Sequence, residues 1–123
     1  MMYGIIQGGM VREKERNMID KGKALAVFGI SEEEYDALLK EFAAQAGEMV
    51  AIAESAIKNG DAETAARKAH ALKGVAGNMR LNDCYNAAMA FESALRENDS
   101  SSIDYWISEL RRFIQEVKIF IEP

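Results

Sequence analysis

From Ile19 to Ile121 the chain contains no proline, and its apolar residues recur at intervals of three and four rather than two. A half-buried strand needs alternation, whereas the three-and-four spacing lays one apolar stripe along a helix. The sequence therefore predicts an all-α fold, and no segment reads as a strand. The only proline is Pro123, the last residue.

Helix punctuation divides this pattern. Residues 1–17, "MMYGIIQGGMVREKERN", hold glycines and then mixed charge without sustained periodicity. They are expected to form an N-terminal arm outside the core, open to disorder, with the domain proper spanning 18–123. A short helix at about 19–28 is predicted to set Leu25 and Phe28 on the core as a lid and to stop at Gly29. The first long helix opens at Ser31 with Glu34 three residues on, the spacing of a capping box. Its expected stripe is Tyr35, Leu38, Leu39, Phe42, Met49, Ile52 and Ala56, ended by "NGD" at 59–61.

Asp61 is the predicted N-cap of a second helix reaching about Met79, with Ala65, Ala69, Leu72, Ala76 and Met79 on its buried face. A third follows Asn82 with Cys84, Ala88, Phe91 and Leu95, and ends in the polar stretch "RENDSSS". The fourth starts near Ser102 and carries Ile103, Trp106, Leu110, Ile114, Val117 and Ile121. Short connections between long amphipathic helices favour an antiparallel up-down four-helix bundle, here with the short extra N-terminal helix.

With 123 residues, 49% of them apolar, one core can be buried without metal or disulfide. The single cysteine, Cys84, permits no intrachain disulfide and reads as a small buried hydrophobe. A lone thiol, no apolar run near the length needed to span a bilayer and no basic signal region together predict a soluble, cytoplasmic protein with no membrane partner. A formal net charge of -5 argues against general nucleic-acid binding, which needs a broad basic field. The expected state is a monomer.

The one histidine, His70, stands in "AARKAHALKGVAGNMR", residues 65–80, followed by Gly74 and Gly77. Each glycine inside a helix costs about 1 kcal/mol relative to alanine, so the pair must serve something else. On a helix Lys73, Gly74, Gly77, Arg67 and Ala66 all fall within about 60° of His70, and the apolar stripe lies opposite. His70 is thus expected on an exposed face, with bare surface where the glycines lack side chains and cations at the margins. Glycines serving only close helix packing would lie on the core stripe instead.

A lone exposed histidine has few chemical uses. A metal site needs three or four ligands, and no second histidine exists; a hydrolytic triad needs a nucleophile and an orienting group around the base. What is left is the imidazole as nucleophile, attacking phosphorus to give a phosphoramidate. Nearby cations favour the neutral ring and attract a phosphoryl group.

The segment "HALKGVAGNM", 70–79, resembles the signature of histidine-containing phosphotransfer (HPt) domains: a histidine, an apolar residue at plus two, Lys-Gly, then small residues. Residues 19–42 and "FESALREND", 91–99, are similar to other parts of that family, so the resemblance covers about 18–122. It implies a four-helix bundle that accepts a phosphoryl group on His70 from the aspartate of a response-regulator receiver domain and passes it to another. It further implies that Lys73 steadies the phosphoryl group, that Gly74 permits docking, and that Mg2+ sits on the receiver while this chain needs no cofactor. A hybrid sensor histidine kinase is the expected upstream partner. Where the family usually has glycine at plus ten this chain has Arg80, and Asn82 is expected to take the left-handed position.

If the second and third helices fold back near Leu81, Glu92 comes beside His70, and Arg96 near Ala66 and Arg67. Glu92 is then a candidate acceptor for Nδ1–H, leaving Nε2 to attack; the same spacing also suits a plain surface pair of Glu92 with Arg96. Partner specificity is expected around Glu63, Ala66 and Arg67. No ATP-binding sequence is present, so no autokinase activity is expected. A helical adaptor that docks a receiver or kinase without being phosphorylated is the alternative.

Overall fold

The computed structural model describes residues 21–121. Five helices make up this span: α1 (Lys21–Phe28), α2 (Glu32–Lys58), α3 (Ala62–Asn78), α4 (Asn82–Glu97) and α5 (Ser100–Ile121). The described residues contain no strand. The expected arm at 1–17, the start at Met18, the first residues of the short helix and Pro123 lie outside the described residues.

Local chemistry sets the boundaries. Ser31 accepts from Glu34 N–H at 3.1 Å and its own N–H donates to the Glu34 carboxylate at 2.8 Å, completing the capping box at the start of α2. Asp61 accepts from Thr64 N–H at 3.1 Å just before α3, and Asp99 accepts from Ser102 N–H at 3.3 Å just before α5. The Thr64 and Ser102 hydroxyls also donate to these carboxylates, at 2.7 and 2.8 Å, and together with the N–H groups they hold both carboxyls below their ordinary value.

Three reversals follow one design. Gly60, Arg80 and Asn98 all have left-handed backbone, with φ of 76°, 61° and 57°. In each case the left-handed N–H and the next one donate back into the last helical turn: Gly60 to Ile57 and Asp61 to Ala56, Arg80 to Gly77 and Leu81 to Ala76, Asn98 to Leu95 and Asp99 to Ala94. This pattern closes off the orphan carbonyls at a helix end. The left-handed residue between α3 and α4 is therefore Arg80 and not Asn82, which is already the first residue of α4. The backbone that glycine would adopt most easily is retained, under a side chain.

Among the four long helices each packs on two others: α3 touches α2 and α4, and α5 touches α4 and α2, while α1 rests on α2. The core they enclose includes Tyr35, Leu39, Leu72, Phe91, Leu110 and Val117, with Phe42 and Phe113 edge to face at 6.3 Å. The stripe on α2 differs from expectation. Leu38 and Ile52 are exposed and Met49 is half-buried, while Ala43, Ala46, Val50 and Ala53 are buried. Small side chains let a long helix approach two neighbours closely, so alanines take the interior and bulkier residues are displaced outward.

The other stripes match expectation more closely, although Met79, Trp106 and Ile121 are only half-buried. On α1 the fully buried residue is Ala24, while Leu25 and Phe28 pack half-exposed against the core edge. Lys21 fastens α1 through Glu32 at 2.9 Å and Asp36 at 3.1 Å, with its ammonium 5.2 Å from the centre of the Phe120 ring. No helix among the described residues is long and apolar enough to cross a membrane.

Candidate functional site

The apolar stripe of α3 turns Ala65, Ala69, Leu72 and Ala76 inward. His70, one position past Ala69, is thereby carried onto the outer face, where its side chain is 67% exposed. Its Nδ1 lies 3.2 Å from Glu92 Oε2 on α4, and among the described residues no hydrogen bond reaches Nε2. The imidazole is held at one nitrogen and open at the other.

Glu92 is the one charged residue in the core of the described chain. It falls four residues after Ala88 and three before Leu95, so the apolar face of α4 carries it inward. A buried carboxylate needs compensating donors. Arg96 donates from Nη2 to Oε2 at 2.6 Å, and Lys73 Nζ lies 3.5 Å from Oε1. Two cations and the imidazole of three separate residues thus converge on one carboxylate. The sequence expectation placed Glu92 beside His70; its burial and the approach of Lys73 to it were not anticipated, although its place between Ala88 and Leu95 signals the burial.

Ala66, Arg67, Ala71 and Arg96 line a shallow depression beside His70, together with Glu63 and Glu92. Arg67 lies 3.3 Å from the Glu63 carboxylate and donates to Thr64 Oγ1 at 3.1 Å, so its charge is engaged along its own helix.

The two glycines separate. A Cβ built on Gly74 would meet nothing within 4 Å, which leaves open surface one turn from His70. A Cβ on Gly77 would come within 3.3 Å of the Tyr85 ring on α4. Gly77 therefore admits an aromatic ring against the α3 backbone, a packing contact that the sequence reading did not foresee.

Cys84 is buried, and burial pushes its thiol up to about 12. Among the described residues no group of three or more histidine, cysteine and acidic side chains is placed to hold a metal ion.

No curated protein and no solved structure matches the chain. A family model described as Hpt domain matches residues 37–119, a span that contains His70, Lys73, Glu92 and Arg96.

Proposed function

This chain belongs to the Hpt domain family, whose members take part in histidine phosphotransfer within phosphorelays, and on that premise we propose that it is a phosphocarrier using His70. The carrying observation is the imidazole itself: exposed on α3, tied at Nδ1 to a buried carboxylate and without a hydrogen bond at Nε2 among the described residues. Such a ring has its proton on the inner nitrogen and its lone pair facing a partner.

In this reading the donor is the phosphorylated aspartate of a response-regulator receiver domain, itself supplied by a sensor histidine kinase. The Nε2 lone pair forms the N–P bond as the P–O bond breaks, and that electron pair leaves on the aspartate. Positive charge developing on the ring is met by Glu92 through Nδ1–H. Transfer onward to a second receiver reverses these steps. Lys73 steadies the phosphoryl oxygens, and Gly74 leaves the surface flat enough for a receiver to approach. Ala66, Arg67 and Arg96 belong to the docking rim.

The chain contributes an imidazole and its surroundings and acts as an intermediate without autokinase activity. Mg2+ belongs to the receiver. The bundle is up-down and antiparallel, as its tight reversals and ring of neighbour contacts support, and the domain is cytoplasmic and monomeric.

The test is transfer from a receiver domain, phosphorylated with a small-molecule donor, to the wild type and to His70→Gln. Label that survives base but not acid, on the wild type alone, is the expected result. Equal labelling of the variant would sink the proposal. Binding of a receiver without any labelling would favour a non-phosphorylated adaptor.

A further inference from the structure

Two donors share one oxygen of Glu92. Oε2 is 3.2 Å from His70 Nδ1 and 2.6 Å from Arg96 Nη2, while Oε1 faces Lys73 at 3.5 Å. The carboxylate acts on the ring in two opposed ways. As an acceptor it holds Nδ1–H inward and leaves the lone pair on Nε2. As a negative charge it favours imidazolium, whose Nε2 carries a proton and cannot attack.

Only the first of these effects helps the free protein receive a phosphoryl group. A cation on the same oxygen separates them, because it keeps the acceptor in place and offsets the charge felt by the ring. Arg96 meets that requirement one turn along α4, with its own side chain 68% exposed and its guanidinium on Oε2. The other charged groups near the ring have partners of their own. Lys73, on the histidine's own helix, addresses the other oxygen, and Arg67 is paired with Glu63. No charged side chain of α2 or α5 lines this depression.

Resting on the phosphocarrier reading, we propose that Arg96 is a positioning residue that acts through Glu92, balancing its charge so that the His70 imidazole stays oriented and neutral while it awaits a phosphorylated partner. The same Arg96 would otherwise be a rim contact only, and the two roles leave different signatures.

The experiment follows transfer from a phosphorylated receiver domain as a function of pH, alongside imidazole nitrogen NMR shifts of His70 in the free protein. The chains compared are wild type, Arg96→Met, Arg96→Lys, Glu92→Gln and the Glu92→Gln/Arg96→Met pair. Arg96→Met is expected to move the acid limb of the transfer profile to higher pH by about one unit, a displacement that the loss of a docking contact alone would not cause. Arg96→Lys restores the limb, and in the Glu92→Gln background Arg96→Met barely moves it. The NMR titration moves in parallel.

An equal displacement in both backgrounds overturns the proposal, because Arg96 would then act on the ring directly. A lowered plateau with an unmoved limb also overturns it and makes Arg96 a docking contact. Failure of every receiver to label the wild type would defeat the phosphocarrier reading, whereas the NMR titration decides the coupling of Arg96 to Glu92 without a partner.

Discussion

Glu92 Oε2 and His70 Nδ1 meet at 3.2 Å across the α3–α4 interface, although 22 positions separate the two residues in sequence. The contact exists because α3 turns His70 outward beside its buried stripe while α4 turns Glu92 inward with its own. Orientation of the ring therefore depends on a side chain held by the core. Glu92→Ala is expected to slow phosphoryl transfer by about tenfold to a hundredfold, the loss typical of a misplaced reacting group. Glu92→Gln, which keeps an acceptor, should retain most of the rate at alkaline pH. Single-turnover kinetics with a phosphorylated receiver check both.

Gly74 and Gly77 should respond differently to the same change. Gly74→Ala meets open space inside a helix and should raise stability by about 1 kcal/mol. Gly77→Ala gains less, because Tyr85 must shift to accommodate the new methyl. Gly74→Gln should fold as well as wild type yet block transfer by crowding the face beside His70. Thermal unfolding and transfer assays on the three variants separate packing from docking.

Arg80 holds a left-handed backbone, φ 61°, at a position where a side chain is strained. Arg80→Gly relieves that strain and should stabilise the protein by about 1 kcal/mol, after the larger chain entropy that glycine brings to the unfolded state. Arg80→Val should destabilise it. Denaturant midpoints of the two variants are expected on opposite sides of wild type.

Asp61 and Asp99 cap α3 and α5, and their hydrogen bonds to Thr64 and Ser102 lower both from the ordinary value of 3.8. A carboxyl lowered in the folded state stabilises the fold above its unfolded value, and that contribution is lost as pH falls through the folded one. Asp61→Asn and Asp99→Asn keep a capping oxygen without a titrating group. The double variant should show a flatter decline of stability below pH 3.8, read from unfolding curves at stepped acid pH.

Cys84, with its thiol pushed up to about 12 inside the core, should resist alkylation in the native protein. Modification is expected to follow the rate of opening, so a neutral thiol reagent should label it promptly only in denaturant.

The all-helical class, the capping box of Ser31 with Glu34, the cap at Asp61 and the outward placement of His70 were all legible in the residue order. Each depends on neighbours within one or two turns, where spacing and hydrogen-bonding groups decide the outcome. The resemblance in "HALKGVAGNM" was equally local, and the family match across 37–119 agrees with it.

Tertiary structure decided the rest. Which face of α2 is buried followed from how closely neighbouring helices approach, so Ala43, Ala46, Val50 and Ala53 went inside while Leu38 and Ile52 stayed out. Gly77 became a seat for Tyr85 because α4 crosses there, and Arg80 took the left-handed turn because Leu81, almost fully buried, closes the reversal behind it. The burial of Glu92 and the convergence of His70, Lys73 and Arg96 on it join two helices. Periodicity places a side chain on a face of its own helix, but only packing determines which charges that face will share.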